Sequence, residues 1–286
     1  MKDTIIRKAY AKINLALDVV RRLPNGYHEV RMIMQTVDIC DVLTFAKADE
    51  GIQLKVDNIE LPTDGNNLIC KAARLLLETA GVSAGVNITL EKHIPIAAGM
   101  AGGSTDAAAT LLAVNELYDL GFGLDALKEI GVKIGADVPY CIEGGTALAE
   151  GIGEVLTPLV APPDCHLVVA KPDINVSTKF VYENLKANEL KVHPDVDGMI
   201  DALKAGDLTG ISMKLGNVLE TVTIPAYPII RDIKDTLREN GAINALMSGS
   251  GPTVFGLFTD KEQAGVAAEK IRSGKLAKQV FVTTFH

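Results

Sequence analysis

The run Pro95-Ile96-Ala97-Ala98-Gly99-Met100-Ala101-Gly102-Gly103-Ser104-Thr105-Asp106-Ala107-Ala108 constrains this chain more than any other stretch. Its small residues allow close backbone approach and positive φ, and they lead directly into an alanine-rich run of strong helix formers. Such a loop gathers unpaired N–H groups at the positive end of a helix dipole, a setting that holds an anion such as a phosphate. Ser104 and Thr105 add hydroxyls. Taken alone, the run also suits a plain turn into a core helix. It is not a Walker A loop, because no Gly-Lys-Ser/Thr follows Gly99 and the loop holds no lysine. The Gly-x-Gly-x-x-Gly spacing of a dinucleotide turn is absent, as is a Gly-x-Ser-x-Gly nucleophile elbow.

Ahead of the loop, Thr4 to Val20 nearly alternates apolar and polar residues, with Ile5, Ala9, Ala11, Ile13, Leu15 and Leu17 marking strands. Lys12 and Asn14 then share one strand face. A turn-rich segment, 21–29, carries Tyr27 and His28 beside Gly26. Strands are expected at 30–37, 41–46, 52–56 and 86–90, and a helix introduced by Asn66 runs from Leu68 to Ala80 and stops at Gly81. After the loop come helices 104–118 and 124–134, then Gly135-Ala136-Asp137-Val138-Pro139. An isolated Asp before Val-Pro suits a cap or turn. Lys12 and Asp137 are nevertheless the evident acid/base pair that could converge near the loop, the ammonium favouring the ionised carboxylate and a developing alkoxide.

Pro158 to Pro163 reads as a linker, so the expected domains are 1–157, carrying the loop, and 158–286. Beyond it, a strand at 167–170 precedes a helix capped by Ser177 that holds Phe180 and Tyr182. Helices near 199–204, 228–239 and 260–273 alternate with strands at 243–247, 253–258 and 279–284, and Ser248-Gly249-Ser250-Gly251 forms a second small-residue turn.

With 286 residues and 48% hydrophobic content the chain can bury substantial cores. The net charge of −8 speaks against nucleic acid or a membrane surface as a general partner. No apolar run suits a membrane span and the opening residues lack a signal peptide's apolar centre, so a cytoplasmic protein is expected. Cys40, Cys70, Cys141 and Cys165 show no Cys-x-x-Cys spacing, and the histidines form no metal pair.

Taken together, the loop, Ala11-Lys12-Ile13-Asn14-Leu15, Gly26-Tyr27-His28, Gly135-Ala136-Asp137-Val138-Pro139, Glu150-Gly151-Ile152-Gly153-Glu154 and Met247-Ser248-Gly249-Ser250-Gly251-Pro252 resemble the GHMP small-molecule kinase superfamily, nearly end to end. Met100 and Thr105 stand where its loop carries Leu and Ser, exchanges that keep the apolar volume and the hydroxyl. The resemblance implies an α+β, two-domain fold: an N-terminal mixed sheet with helices and a C-terminal α+β domain, with nucleotide and substrate meeting in a cleft. It implies a kinase in which Lys12 and Asp137 are catalytic and Pro95, Ile96, Ala97, Ala98, Gly99, Met100, Ala101, Gly102, Gly103, Ser104 and Thr105 hold the phosphates of ATP. Asn67, Leu68 and Lys92 would line the adenine side, although an ordinary helix start and a surface lysine are the plainer alternatives. Asn14, Tyr27, His28 and Tyr182 would contact a small-molecule acceptor, an alcohol bearing cytidine. Mg2+ would arrive with the nucleotide, its ligands unassigned. The alternatives left open are a GHMP kinase acting on a mevalonate-like alcohol, homoserine or a sugar, and a catalytically silent nucleotide-binding protein.

Overall fold

The computed structural model describes residues 3–24, 26–57 and 61–286. Asn25, part of the turn expected at 21–29, lies outside the described residues. In chain order the elements are β1 (Thr4–Arg22), β2 (His28–Ala48), β3 (Ile52–Val56), α1 (Leu68–Ala80), β4 (Gly85–Glu91), α2 (Gly102–Leu117), α3 (Leu124–Val132) and α4 (Val138–Glu143). There follow β5 (Thr146–Glu150), β6 (Val155–Pro158), β7 (His166–Lys171), α5 (Thr178–Asn184), α6 (Val196–Ala205), α7 (Leu208–Met213), β8 (Gly216–Asn217) and α8 (Glu220–Ala226). The chain ends with α9 (Ile229–Glu239), β9 (Asn244–Met247), β10 (Val254–Phe258), α10 (Lys261–Ser273) and β11 (Gln279–Thr284). The fold is α+β. Among the described residues, no helix is long and apolar enough to cross a membrane.

Two strands expected at 30–37 and 41–46 are one, β2. Alternation persists between them: Val37 and Ile39 are buried, Asp38 is exposed, and Asp41 points inward. A buried carboxylate is tolerated there because it accepts hydrogen bonds from the backbone N–H groups of His93 and Ile94.

The chain packs as two compact units, and the long strands β1 and β2 each give one half to each. The first comprises Met1–Ala11, Ile39–Ile94 and Ala101–Gly144. Its sheet is mixed: β2 pairs antiparallel with β4 over Val42–Ala48, and β3 pairs parallel with β4. Helices α1 and α2 pack together, and α4 packs on both α2 and α3. Their core includes Leu43, Phe45, Ile69, Leu76, Leu111 and Val114, all nearly inaccessible. α1 spans Leu68–Ala80 as expected, but its cap is Asn67 rather than Asn66, the Asn67 side chain accepting from Ile69 N–H, and it ends at Gly81 with φ 65°.

The second unit comprises Lys12–Asp38, Pro95–Met100 and Gly145–His286. In it β5 pairs antiparallel with β2, setting Ala149 opposite Met32, and also with β6. β8 runs parallel to β1 at Ala16 and Leu17. A separate antiparallel sheet has the order β11-β7-β10-β9, with α9 and α10 packed on it. Phe255, Leu257, Ile233, Leu237 and Ile271 are buried there. β5, β6, β8, α7 and α8 are short elements without a periodic signature, and the sequence pattern gave no sign of them.

Candidate active site

In the first unit, the amino end of α2 is open. Ala101, at φ 56°, provides no side-chain cap, and the first turn of the helix holds no acidic residue. An uncapped helix start of this kind is suited to an anion. Gly103 is exposed, Ser104 half-buried. Thr105 N–H closes the first turn of α2 on Ala101 O at 2.9 Å, and its hydroxyl ties the helix to β1 by donating to Tyr10 O at 2.7 Å.

Leu68 and Lys92 both reach this helix start: a Cβ added to Gly103 would lie 3.5 Å from Leu68 Cδ1, and one on Gly102 would lie 3.1 Å from Lys92 Nζ. Asn67 is committed locally, since its Oδ1 caps α1 and its Nδ2 donates to Pro62 O at 2.8 Å. Lys92 is no surface lysine. Its side chain is 4% exposed and its ammonium is gripped by Asp41 and by Asp106, the latter at 2.7 Å. Burial pulls the Lys92 pKa down, but the two carboxylates outweigh it and the net direction is upward. Asp106 is pushed up to about 8, chiefly by burial, with the Lys92 ammonium opposing and the Asp41 carboxylate adding. Its Oδ1 is buried without a hydrogen-bond partner.

Asp137 stands at the N-cap position of α4 with φ −82° and ψ −12°, and its side chain makes no capping hydrogen bond. The capping alternative for this residue is thus not used. Its segment adjoins α2, because a Cβ on Gly135 would lie 3.9 Å from Ser104 Oγ.

In the second unit, Lys12 and Asn14 are buried side by side on β1, with Lys12 Nζ donating to Asn14 Oδ1 at 2.8 Å. Asn14, expected to face the acceptor, is fully buried, its amide between Lys12 and Met32. The backbone N–H of Lys12 donates to Met100 O at 3.2 Å, which fastens β1 to the first half of the small-residue loop. The turn at 248–251 backs that half. Ser248 Oγ donates to Gly99 O at 3.0 Å, and any Cβ on Gly99, at φ 70°, would strike the carbonyl of Ser248. Asn217, which no sequence signal singled out, holds the turn by donating to the carbonyls of Met247 and Gly249, each at 2.8 Å. His28 and Tyr182 come together, with ring centroids 5.1 Å apart. Burial and the nearby positive charge of Arg22 lower the His28 pKa, leaving a neutral ring with one donor and one acceptor near neutral pH. Tyr27, at 59% exposure, lies on the surface.

Each unit thus holds a feature suited to handling phosphate, the uncapped start of α2 in the first and a buried lysine whose backbone is bonded to the small-residue loop in the second. Family models agree: residues 67–145 match the GHMP kinases N terminal domain and residues 199–275 match the GHMP kinases C terminal region. A 4-diphosphocytidyl-2-C-methyl-D-erythritol kinase from Lachnoclostridium phytofermentans is 53% identical over 99% of this chain and 98% of its own length. A crystal structure of a 4-(cytidine 5'-diphospho)-2C-methyl-D-erythritol kinase matches with a TM-score of 0.85 at 34% identity, covering 98% of this chain and 99% of that one. A homoserine kinase from Cytophaga hutchinsonii, at 23% identity and a TM-score of 0.81 over 100% of this chain and 96% of its own, shares the fold. The chain belongs to the GHMP kinases, and within them to the 4-diphosphocytidyl-2-C-methyl-D-erythritol kinase family.

Proposed function

We propose that this kinase transfers the γ-phosphoryl group of ATP to the 2-hydroxyl of 4-diphosphocytidyl-2-C-methyl-D-erythritol, a step of non-mevalonate isoprenoid precursor synthesis, in the cytoplasm, with residues 1–157 and 158–286 as the two family domains. The observation that carries the catalytic assignment is local. Lys12 is bonded to Met100 and the Asp137 segment adjoins Ser104, so both acid/base candidates are tied to one loop at points four residues apart. In this reading Asp137 orients the 2-hydroxyl and accepts its proton, and the oxygen attacks the γ-phosphorus as the bond to the β–γ bridging oxygen breaks and ADP leaves. Lys12 stabilises the charge developing on the attacking oxygen and the transferring group.

The N–H groups of the loop and of the first turn of α2 hold the phosphates. Leu68 supplies an apolar wall on the adenine side. Tyr27, His28 and Tyr182 receive the cytidine end: the aromatic faces stack, and the neutral imidazole matches a ring that offers both donors and acceptors. Among the described residues no group of three or more His, Cys, Asp or Glu side chains could hold a metal ion. In this reading Mg2+ would be carried in on the nucleotide phosphates, whose charge it would offset.

ADP release measured over the cytidine-bearing alcohol, mevalonate, homoserine and simple sugars tests the reading. Turnover is expected on the first alone, and preference for an acceptor lacking cytidine would overturn it. Asp137→Ala should lower kcat by about 10²- to 10⁴-fold, the usual worth of a positioned general base, while nucleotide still binds.

A further inference from the structure

The Glu150-Gly151-Ile152-Gly153-Glu154 segment has no part in the reaction as derived above, yet a buried path leads from it to Lys12. The Glu154 carboxylate accepts from Ile152 N–H at 2.7 Å, and Gly151 O accepts from Val30 N–H at 2.8 Å, which fixes the β5–β6 turn against β2. Gly153, at φ 116°, occupies backbone space that only glycine enters readily, and a Cβ there would lie 3.1 Å from Met32 Cε. Met32 is buried, and its Sδ accepts from Asn14 Nδ2 at 3.4 Å. Asn14 Oδ1 in turn accepts from Lys12 Nζ.

The chemistry of the groups fixes the direction of this path. An ammonium only donates, so the atom Asn14 turns toward Lys12 must be its carbonyl oxygen. The NH₂ then has to face Met32, and the sulfur, polarisable and a weak acceptor, is the group that receives it. A flipped amide would set donor against donor at Lys12. An aliphatic side chain in place of Met32 would leave a buried NH₂ without that acceptor and weaken its orientation.

We propose that Met32, clamped by the Gly153 turn, is a positioning residue that holds Lys12 through Asn14. Its role in turnover rests on the catalytic assignment of Lys12 made above; the path itself does not.

Met32→Leu keeps the volume and removes the acceptor. Steady-state kinetics should show kcat lowered about three- to tenfold, the range for loss of one weak hydrogen bond, with the KM for ATP unchanged. Met32→Gln, which restores an acceptor, should recover most of the loss. In an Asn14→Ala background, or Asn14→Leu if that variant fails to fold, Met32→Leu should change kcat no further, because its effect passes through Asn14. Effects that multiply, or a drop in Tm with kcat untouched, would overturn the proposal. A second measurement does not need turnover. With [13C]methyl-methionine labelling, the Met32 methyl resonance, assigned by its loss in Met32→Leu, should move in both Asn14→Ala and Lys12→Met. A resonance indifferent to either variant also overturns it. If the resonance moves but the cytidine-bearing alcohol is not phosphorylated, the path stands and the substrate reading falls.

Discussion

Lys12 and Lys92 are both lysines with buried side chains close to the same loop, and they are held in opposite ways. Lys92 is gripped by two carboxylates, Asp41 and Asp106. Lys12 Nζ donates to the oxygen of a neutral amide, Asn14. An ammonium between two carboxyl groups projects little field beyond them, whereas the Asn14 amide fixes the direction of the Lys12 ammonium without itself bringing a charge to it. The first arrangement is suited to holding structure together and the second to chemistry. Their positions agree with this. Lys92 sits beneath the start of α2 beside Gly102, and Lys12 is fastened through its backbone to Met100.

Exchanging each lysine for methionine is the strongest way to break that contrast. Lys92→Met leaves the buried Asp41 and Asp106 carboxyl groups without their cation, and removing one partner of a buried pair costs about 3–5 kcal/mol of stability. Urea denaturation should therefore show a large loss of unfolding free energy, and a Lys92→Met protein as stable as the parent would end the structural assignment. Lys12→Met should fold, yet lose about 10²- to 10³-fold in kcat, the scale of removing one charge-stabilising donor at a transition state. If Lys12→Met unfolds while retaining turnover per folded molecule, the roles are reversed.

A smaller effect tests the charge state of the clamp. Asp106 lies well above its ordinary value of 3.8, at about 8, so the folded chain holds a proton that the unfolded chain releases between those two pH values. The stability this group contributes is complete below its unfolded value and is lost as pH rises through its folded one. Asp106→Asn removes the titration while keeping an oxygen for Lys92. Its unfolding free energy should fall less than the parent's between about pH 5 and 8, so the difference between the two proteins shifts in the variant's favour as pH rises. Equal slopes for the two proteins would show that Asp106 does not carry the proton.

Much of this was legible in the chain, and the exceptions share one cause. The loop, the stop at Gly81, the Ser177 cap and the positions of the strands in the second half each follow from residues next to one another. The sequence leaves Lys92 between an adenine-side contact and an ordinary surface lysine. Its partners, Asp41 and Asp106, are 51 and 14 residues away, and no local pattern announces them. Asn217 is similar: it secures the 248–251 turn from 30 or more residues upstream. Asn14 was placed correctly beside Lys12, but alternation along a strand tells which face a side chain takes and not what covers that face. Met32 and the Gly153 turn cover it.

The smallest effect asks how rigid the Lys92 clamp is. A lysine head can ordinarily swing away from an intruding methyl group; one held between two carboxylates cannot do so without leaving a charge unpaired. An alanine Cβ at residue 102 would meet Lys92 Nζ and Ile94 Cγ2, each at 3.1 Å, while one at residue 103 would meet Leu68 Cδ1 at an ordinary 3.5 Å. Gly103→Ala should thus be neutral or gain up to about 1 kcal/mol from helix propensity, and Gly102→Ala should lose about 1 kcal/mol net through crowding. Asp106→Ala would loosen one side of the clamp. In that background the penalty of Gly102→Ala should shrink, a coupling that a double-mutant cycle of unfolding free energies resolves. An unchanged penalty would place the strain on Ile94 instead and leave Lys92 mobile, which would remove the rigidity that separates it from an ordinary lysine.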